Sequence, residues 1–239
     1  MSDFDRRKAK ALAEIDAHVD KSPKGSIDAP IRDLITYMNA LPDLYTTSSC
    51  SGRIAIFSDR PLHQQQADFP VDDTTTDSAK PSSDNAKGVG TWLYVNHDHD
   101  TPLDWRSFLH EHPPCSECTG DLNSMHLISF KFEPFILHAE ARNVDTASTL
   151  YQLAMASGYR NSGMGFAKKS GRWMVAVRSA QQVNAPVGHV CEHGRPIWFA
   201  CPLQWDSLSR FGADKMHHNF DRVRQFELAL KSSSLVKEE

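Results

Sequence analysis

The fold class predicted by this sequence is a single α+β domain, a mixed β-sheet flanked by helices. Three observations lead there. Short apolar runs rich in β-formers recur at residues 54–57, 91–95, 127–133 and 173–178. Helical apolar faces are interspersed with them, Ile31, Leu34, Ile35 and Met38 being the clearest. The strands and helices show no regular βαβ alternation, and no Gly-x-Gly-x-x-Gly follows a strand; Gly88-x-Gly90 precedes one and lacks the third glycine.

Taken in order, residues 4–18 form a charged helix anchored by Leu12 and Ile15, and Pro23 and Gly25 break it. Asp28 is placed to cap a second helix, with Pro30 in its first turn. Residues 44–47 are extended, a polar loop occupies residues 48–53, and a strand follows. Residues 63–87 have almost no apolar anchors and are expected to be a disordered insert between two paired strands. A short helix is expected over residues 102–112 and a strong strand over 127–133, bent or bulged at Pro134. Asp145 or Thr146 should cap a helix running to Ser157, and Gly158 stops it. A second polar loop covers residues 159–163. Strands over 173–178 and 183–190 precede one or two helices in 203–231. The organisation read from this is a helical extension (1–27), one domain (28–231) and a polar tail (232–239).

An apolar content of 40% and a charged content of 23% support a sizeable core and exclude global disorder. No apolar run reaches the roughly 18–20 residues that span a bilayer, and the polar N-terminus lacks a signal segment. The expected compartment is therefore the cytoplasm, where five cysteines stay reduced. A net charge of −4 argues against a uniformly basic surface, but the 63–87 stretch carries most of it, with five acids and two lysines. A local basic face remains compatible with that balance.

The densest chemistry lies at residues 48–53, Ser-Ser-Cys-Ser-Gly-Arg. Gly52 permits a positive φ or a close backbone approach. The serines offer neutral hydrogen bonds, and Arg53 a cationic fork for a carboxylate or phosphate. Cys50 lacks a visible Cys-His-Asn pattern, so a small buried residue is expected rather than a nucleophile. His110, His112, Cys115 and Cys118 include one Cys-x-x-Cys half-site, which alone does not define a zinc centre, and no metal is assigned.

Four segments, at residues 45–53, 130–138, 158–163 and 176–179, occur in an order and spacing that resemble the wybutosine-synthesis tRNA methyltransferase family. A looser fifth match is Trp92-Leu93 followed by Val95 and His97. The resemblance covers residues 28–62 and 88–230. It implies a non-Rossmann methyltransferase fold and S-adenosyl-L-methionine as methyl donor. It also implies methylation at N4 of the 7-(3-amino-3-carboxypropyl)-4-demethylwyosine base beside the anticodon of tRNA-Phe, with contact to other wybutosine-pathway enzymes possible in principle. The sequence departs from the leaner family pattern at residues 63–87, 110–120 and 191–201, none of which removes a motif.

Methyl transfer from a sulfonium requires in-line positioning and, at a ring nitrogen, somewhere for a proton to go. The expected cofactor contacts are Ser48, Cys50, Gly52, Arg53, Arg160, Asn161, Ser162 and Gly163, two loops converging on one cleft. Glu133, His138, Ser49 and Ser51 are the candidate catalytic groups. For Glu133 the competing reading is a strand-face ion pair, and for His138 a half-buried structural histidine. Trp92, Lys131, Tyr159, Lys168, Lys169 and Arg178 are the candidate tRNA contacts, combining basic groups with aromatics on which a splayed base can stack. The runner-up function is a catalytically silent tRNA-binding scaffold of the same pathway.

Overall fold

In the computed structural model, residues 1–16, 27–59, 90–98, 101–118, 126–233 and 235 are described. The expected insert at residues 63–87, His99 and most of the tail lie outside them.

Two long strands carry the sheet. β1 (Leu44–Ser58) and β3 (Leu127–Ala141) run antiparallel from Leu44 opposite Ala141 to Ser58 opposite Ile128. β2 (Thr91–Asn96) pairs with the far edge of β1. On the other edge of β3, two strands share the ladder end to end. β5 (Arg172–Arg178) pairs with Ile136 to Ala141, and β6 (Val183–Val190) with Leu127 to Phe132. β4 (Gly163–Ala167) extends β5, and β7 (Pro196–Trp198) extends β6. All of these pairings are antiparallel, so the sheet is antiparallel where a mixed one was expected. Its outer strands enter as the hairpins β4–β5 and β6–β7, and the helices cover a face instead of making parallel crossovers.

Pro134 sits where the partner of β3 changes from β6 to β5. It has no N–H to donate, so the gap in the ladder falls where the strand could not have bonded. The expected distortion is there: core-facing residues are Ile128, Phe130 and Phe132 before it, then Phe135, Leu137 and Ala139 after it. A one-residue slip turns every following side chain to the opposite face. β1 switches at the same level, where Gly52 lies opposite Pro134 with φ of 102°.

One face of the sheet is covered by α2 (Arg32–Ala40), α3 (Trp105–Glu111), α4 (Val144–Ala156) and α5 (Pro202–Lys231). The apolar contacts divide into two clusters. One joins Leu34, Ile35 and Met38 to Leu150, Phe226 and Leu230 over Leu137 and Val175. The other joins Trp105 and Phe108 to Trp205, Met216 and Phe220 over Ile54, Phe130 and Phe132. α5 is a single helix and spans both. On the opposite face α1 (Asp3–Asp16) docks with Phe4 buried against Tyr45 and Arg7 paired to the buried Glu140 at 2.5 Å.

Several local expectations are corrected. Residues 48–53 are the middle of β1, not a loop. A 3-10 turn (Ala29–Ile31) precedes α2, and Asp28 makes no side-chain cap there. Asn143, not Asp145 or Thr146, caps α4, its side chain accepting from the Thr146 N–H at 2.9 Å. α3 starts after Pro102, capped by Asp104. For α3 and α4 the residue whose side-chain oxygen reaches a free N–H sets the helix start, not the nearest proline or acidic signal.

Candidate active site

Among the described residues, the face of the sheet opposite α2–α5 is only partly covered, by α1 at one end. Strand alternation puts the side chains of Ser48, Cys50, Arg53, Lys131, Glu133, Ile136 and His138 on it. These come from β1 and β3 on both sides of the Gly52–Pro134 level.

Ser48 and His138 are opposite one another, with Ser48 Oγ 2.9 Å from His138 Nδ1. The same row continues through Ala176 of β5 to Gly163 of β4. The two polar stretches recognised in the sequence therefore lie on one row, three strand spacings or about 14 Å apart. Burial, and then the nearby Arg178 guanidinium, hold the His138 imidazole below its usual value, so it is neutral at neutral pH. Arg178 lies two residue pairs along on the same face, opposite Ile136, and its backbone N–H donates to Ser162 Oγ at 3.1 Å. A Cβ at Gly163 would stand 3.9 Å from the Arg178 guanidinium, and at Gly165 it would meet nothing within 4 Å. The bare β4 backbone beside an exposed guanidinium is a cradle suited to a carboxylate or phosphate. Arg160 and Asn161 are exposed on the turn that leads into it.

Arg53 and Glu133 are a second cross-strand pair, with Arg53 Nε 2.5 Å from Glu133 Oε2. The Arg53 guanidinium stacks 4.3 Å from the Trp92 ring centre. Trp92 also packs on Phe57 at 4.6 Å, and Lys131 Nζ lies 4.5 Å above Phe57. Glu133 is thus the strand-face ion pair of the competing reading, its partner Arg53. That engagement removes Arg53 as the first choice for a cofactor carboxylate. Trp92 remains 41% exposed, so part of its ring is open to a stacked base.

Cys50 lies between these groups, and tertiary folding gives it neighbours that the sequence did not reveal. His97 Nδ1 is 3.9 Å from Cys50 Sγ and 3.4 Å from Asp28 Oδ2. Asp28 Oδ2 also accepts the Ser51 N–H at 2.8 Å. A thiol, an imidazole and a carboxylate suggest a nucleophile, but burial pushes the Cys50 thiol up, and both partners meet the same imidazole nitrogen. A base that activates a thiol uses one nitrogen for it and the other for its orienting carboxylate. Asp28 and His97 were missed as site residues; the spacing of Trp92 and His97 was the only sequence signal for either.

Other expected residues fall elsewhere. Ser51 is fully buried, and alternation turns Ser49 and Ser51 to the helix-covered face, so neither joins His138. Gly52 is buried against Asn219 of α5. Tyr159 is fully buried between Phe135 and Phe226 and cannot stack on a base. Lys168 and Lys169 are exposed at the β4–β5 turn, about 20 Å along the hairpin from Arg178, so the three do not form one patch. His112 stacks on Phe108 and His110 is exposed on α3; neither joins Cys115 and Cys118, which meet Cys191 and His193 instead. Among the described residues no helix is long and apolar enough to cross a membrane.

This chain matches known proteins along most of its length. A family model described as Methyltransferase TYW3 matches residues 6–232. The chain is 32% identical to tRNA wybutosine-synthesizing protein 3 of Saccharomyces cerevisiae, over 93% of this chain and 81% of that protein. It is 33% identical to tRNA wybutosine-synthesizing protein 2/3/4 of Arabidopsis thaliana, over 97% of this chain but only 21% of that longer protein. In structure it is similar to the PH1069 protein from Pyrococcus horikoshii OT3, with a TM-score of 0.68 at 20% identity over 99% and 97% of the two chains.

Proposed function

Because the chain belongs to the methyltransferase TYW3 family, we propose that it is the tRNA methyltransferase of wybutosine synthesis, acting in the cytoplasm. The substrate is the demethylwyosine-type base beside the anticodon of tRNA-Phe, and the position methylated is N4. The observation that carries this reading onto the molecule is the open sheet face. It combines a neutral imidazole, an anion cradle and an exposed indole along neighbouring strands.

S-adenosyl-L-methionine supplies, when bound, an electrophilic methyl group on a sulfonium. The residues present fit it in charge and space. Arg178, with the glycine backbone at Gly163 and Gly165, suits its carboxylate, and Ser162 and Asn161 offer neutral hydrogen bonds. His138 takes the proton that the ring nitrogen gives up, with Ser48 fixing the imidazole through Nδ1 and leaving Nε2 for the substrate. Trp92, backed by Arg53 and Phe57, lies about 20 Å along the sheet from His138, so it stacks a neighbouring base of the anticodon loop while the target base reaches His138, and Lys131 stands beside Trp92 for a phosphate.

Two measurements test the proposal. Calorimetric titration with S-adenosylmethionine should give saturable binding that Arg178→Ala weakens about tenfold or more. Undermethylated tRNA-Phe should gain one methyl group on its wyosine-type base, by mass spectrometry of nucleosides. Absence of binding by the wild-type chain, with tRNA present, would overturn the enzyme reading in favour of a tRNA-binding scaffold.

A further inference from the structure

We infer that Cys115, Cys118, Cys191 and His193 form a structural zinc site that fastens the segment after α3 to the β6–β7 hairpin. The four ligand atoms all lie within 4.8 Å of one another. Cys115 Sγ is 3.3 Å from Cys118 Sγ, and Cys118 Sγ is 3.2 Å from His193 Nδ1. A tetrahedron with zinc–sulfur bonds of about 2.3 Å has edges of about 3.8 Å, so small adjustments admit the ion. Three thiolates and one imidazole are a closed donor set, the pattern of a structural zinc rather than of one with an open catalytic position.

The backbone around the cluster is shaped for the same purpose. Cys115 and Cys118 belong to a tight Cys-x-x-Cys turn whose Glu117 and Cys118 N–H groups both point at Cys115 Sγ. Cys191 and His193 belong to a second turn, closed by the Gly194 N–H donating to Cys191 O at 2.9 Å, with Gly194 at φ of 72°. The two turns are held together by the Cys115 N–H donating to Pro196 O at 2.9 Å. Arg195 contacts Cys115 and pairs with Glu117 at 3.1 Å, so a cation donor supports the sulfur from outside the ligand set.

A simple Cys115–Cys118 disulfide would give Cys191 and His193 no role, although they converge on the same point. The site is obscured in the sequence because the histidines nearest the half-site, His110 and His112, are not its partners. Its partners lie more than seventy residues on, at the turn of the β6–β7 hairpin, where Val190 pairs with Pro196. The role is architectural. α3 and β7 contribute Phe108 and Trp198 to one apolar cluster, and the Trp198 indole N–H donates to His112 O at 2.9 Å. A metal bound by both turns would cross-link the two segments at this corner.

The inference does not depend on the enzymatic reading, and its test reads metal rather than methylation. The full chain, purified without chelator, is assayed for zinc by elemental mass spectrometry and for free thiols after unfolding. One zinc per chain is expected. Cys118→Ser and His193→Ala should each lower zinc content about tenfold, while Cys201→Ser, at the exposed N-cap of α5, should leave it unchanged. Should the ligand variants not fold, cobalt(II) added to the metal-stripped wild-type chain should develop thiolate charge-transfer and tetrahedral ligand-field bands. A folded wild-type chain that binds neither zinc nor cobalt overturns the inference, whether its cysteines are free or Cys115 and Cys118 are joined as a disulfide. Undiminished zinc in both ligand variants overturns it as well.

Discussion

Asn219, in the middle of α5, fits against Gly52 at the centre of β1. Its amide donates to Ser51 O at 2.8 Å and accepts the Phe135 N–H at 2.7 Å, satisfying both central strands at the level where their ladder is broken. A Cβ on Gly52 would come 2.9 Å from the Asn219 amide nitrogen. Asn219→Ala would leave a buried donor and a buried acceptor without partners, a cost of about 3 kcal/mol. Gly52→Ala adds strain at positive φ to the clash, about 2 kcal/mol or more. Chemical denaturation should show both losses, and the double variant should lose less than the sum because the two share one contact.

His138 gives a pH prediction. Its folded value lies below the ordinary 6.5, so the folded chain binds this proton less readily than the unfolded chain. Its contribution to stability is present above pH 6.5 and is lost as pH falls through 6.5 toward the folded value. The methylation rate should hold through neutral pH and decline on the acid side below 6.5. His138→Asn should lower kcat about a hundredfold and abolish that acid limb while leaving melting temperature nearly unchanged. An unchanged acid limb in the variant would show that another group takes the proton.

Tyr45 predicts the alkaline side of stability. Burial, and then the hydrogen bond to Glu140, push its hydroxyl up to about 12 from 10. The neutral phenol is favoured in the fold, so this stabilisation is complete below pH 10 and is lost as pH rises toward 12. Tyr45→Phe should remove that part of the alkaline destabilisation, measured as melting temperature against pH. Glu140, whose side chain is fully buried between Arg7 and Tyr45, should be far less tolerant: Glu140→Ala is expected to cost about 3 kcal/mol.

The Arg53–Glu133 pair separates stability from recognition. Both side chains are about one third exposed, at 29% and 34%, so a double-mutant cycle on unfolding should return only about 0.5–1 kcal/mol. Trp92→Ala should change stability little, yet weaken tRNA-Phe binding about tenfold by losing a stacked base. Equal binding by Trp92→Ala and wild type, in a fluorescence titration, would remove Trp92 from the tRNA surface.

Sequence alone determined the α+β class, the strong strand at residues 127–133, the helix carrying Leu34 and Met38, and the distortion at Pro134, because each is a property of spacing, of element order or of one missing N–H. The polar identity of residues 48–53 and 159–163 was equally legible. Their conformation was not. Residues 48–53 form a strand because β3 supplies a partner for its length, and pairing then sends Ser48 to the open face and Ser51 to the buried one. Long-range register also decided that Arg53 is held by Glu133, that Tyr159 is core, and that Cys50 meets His97 and Asp28. It brought Cys118 to His193 across a hairpin that no local pattern announces. Side-chain chemistry is written in the chain, but which groups share a face is set only when distant strands pair.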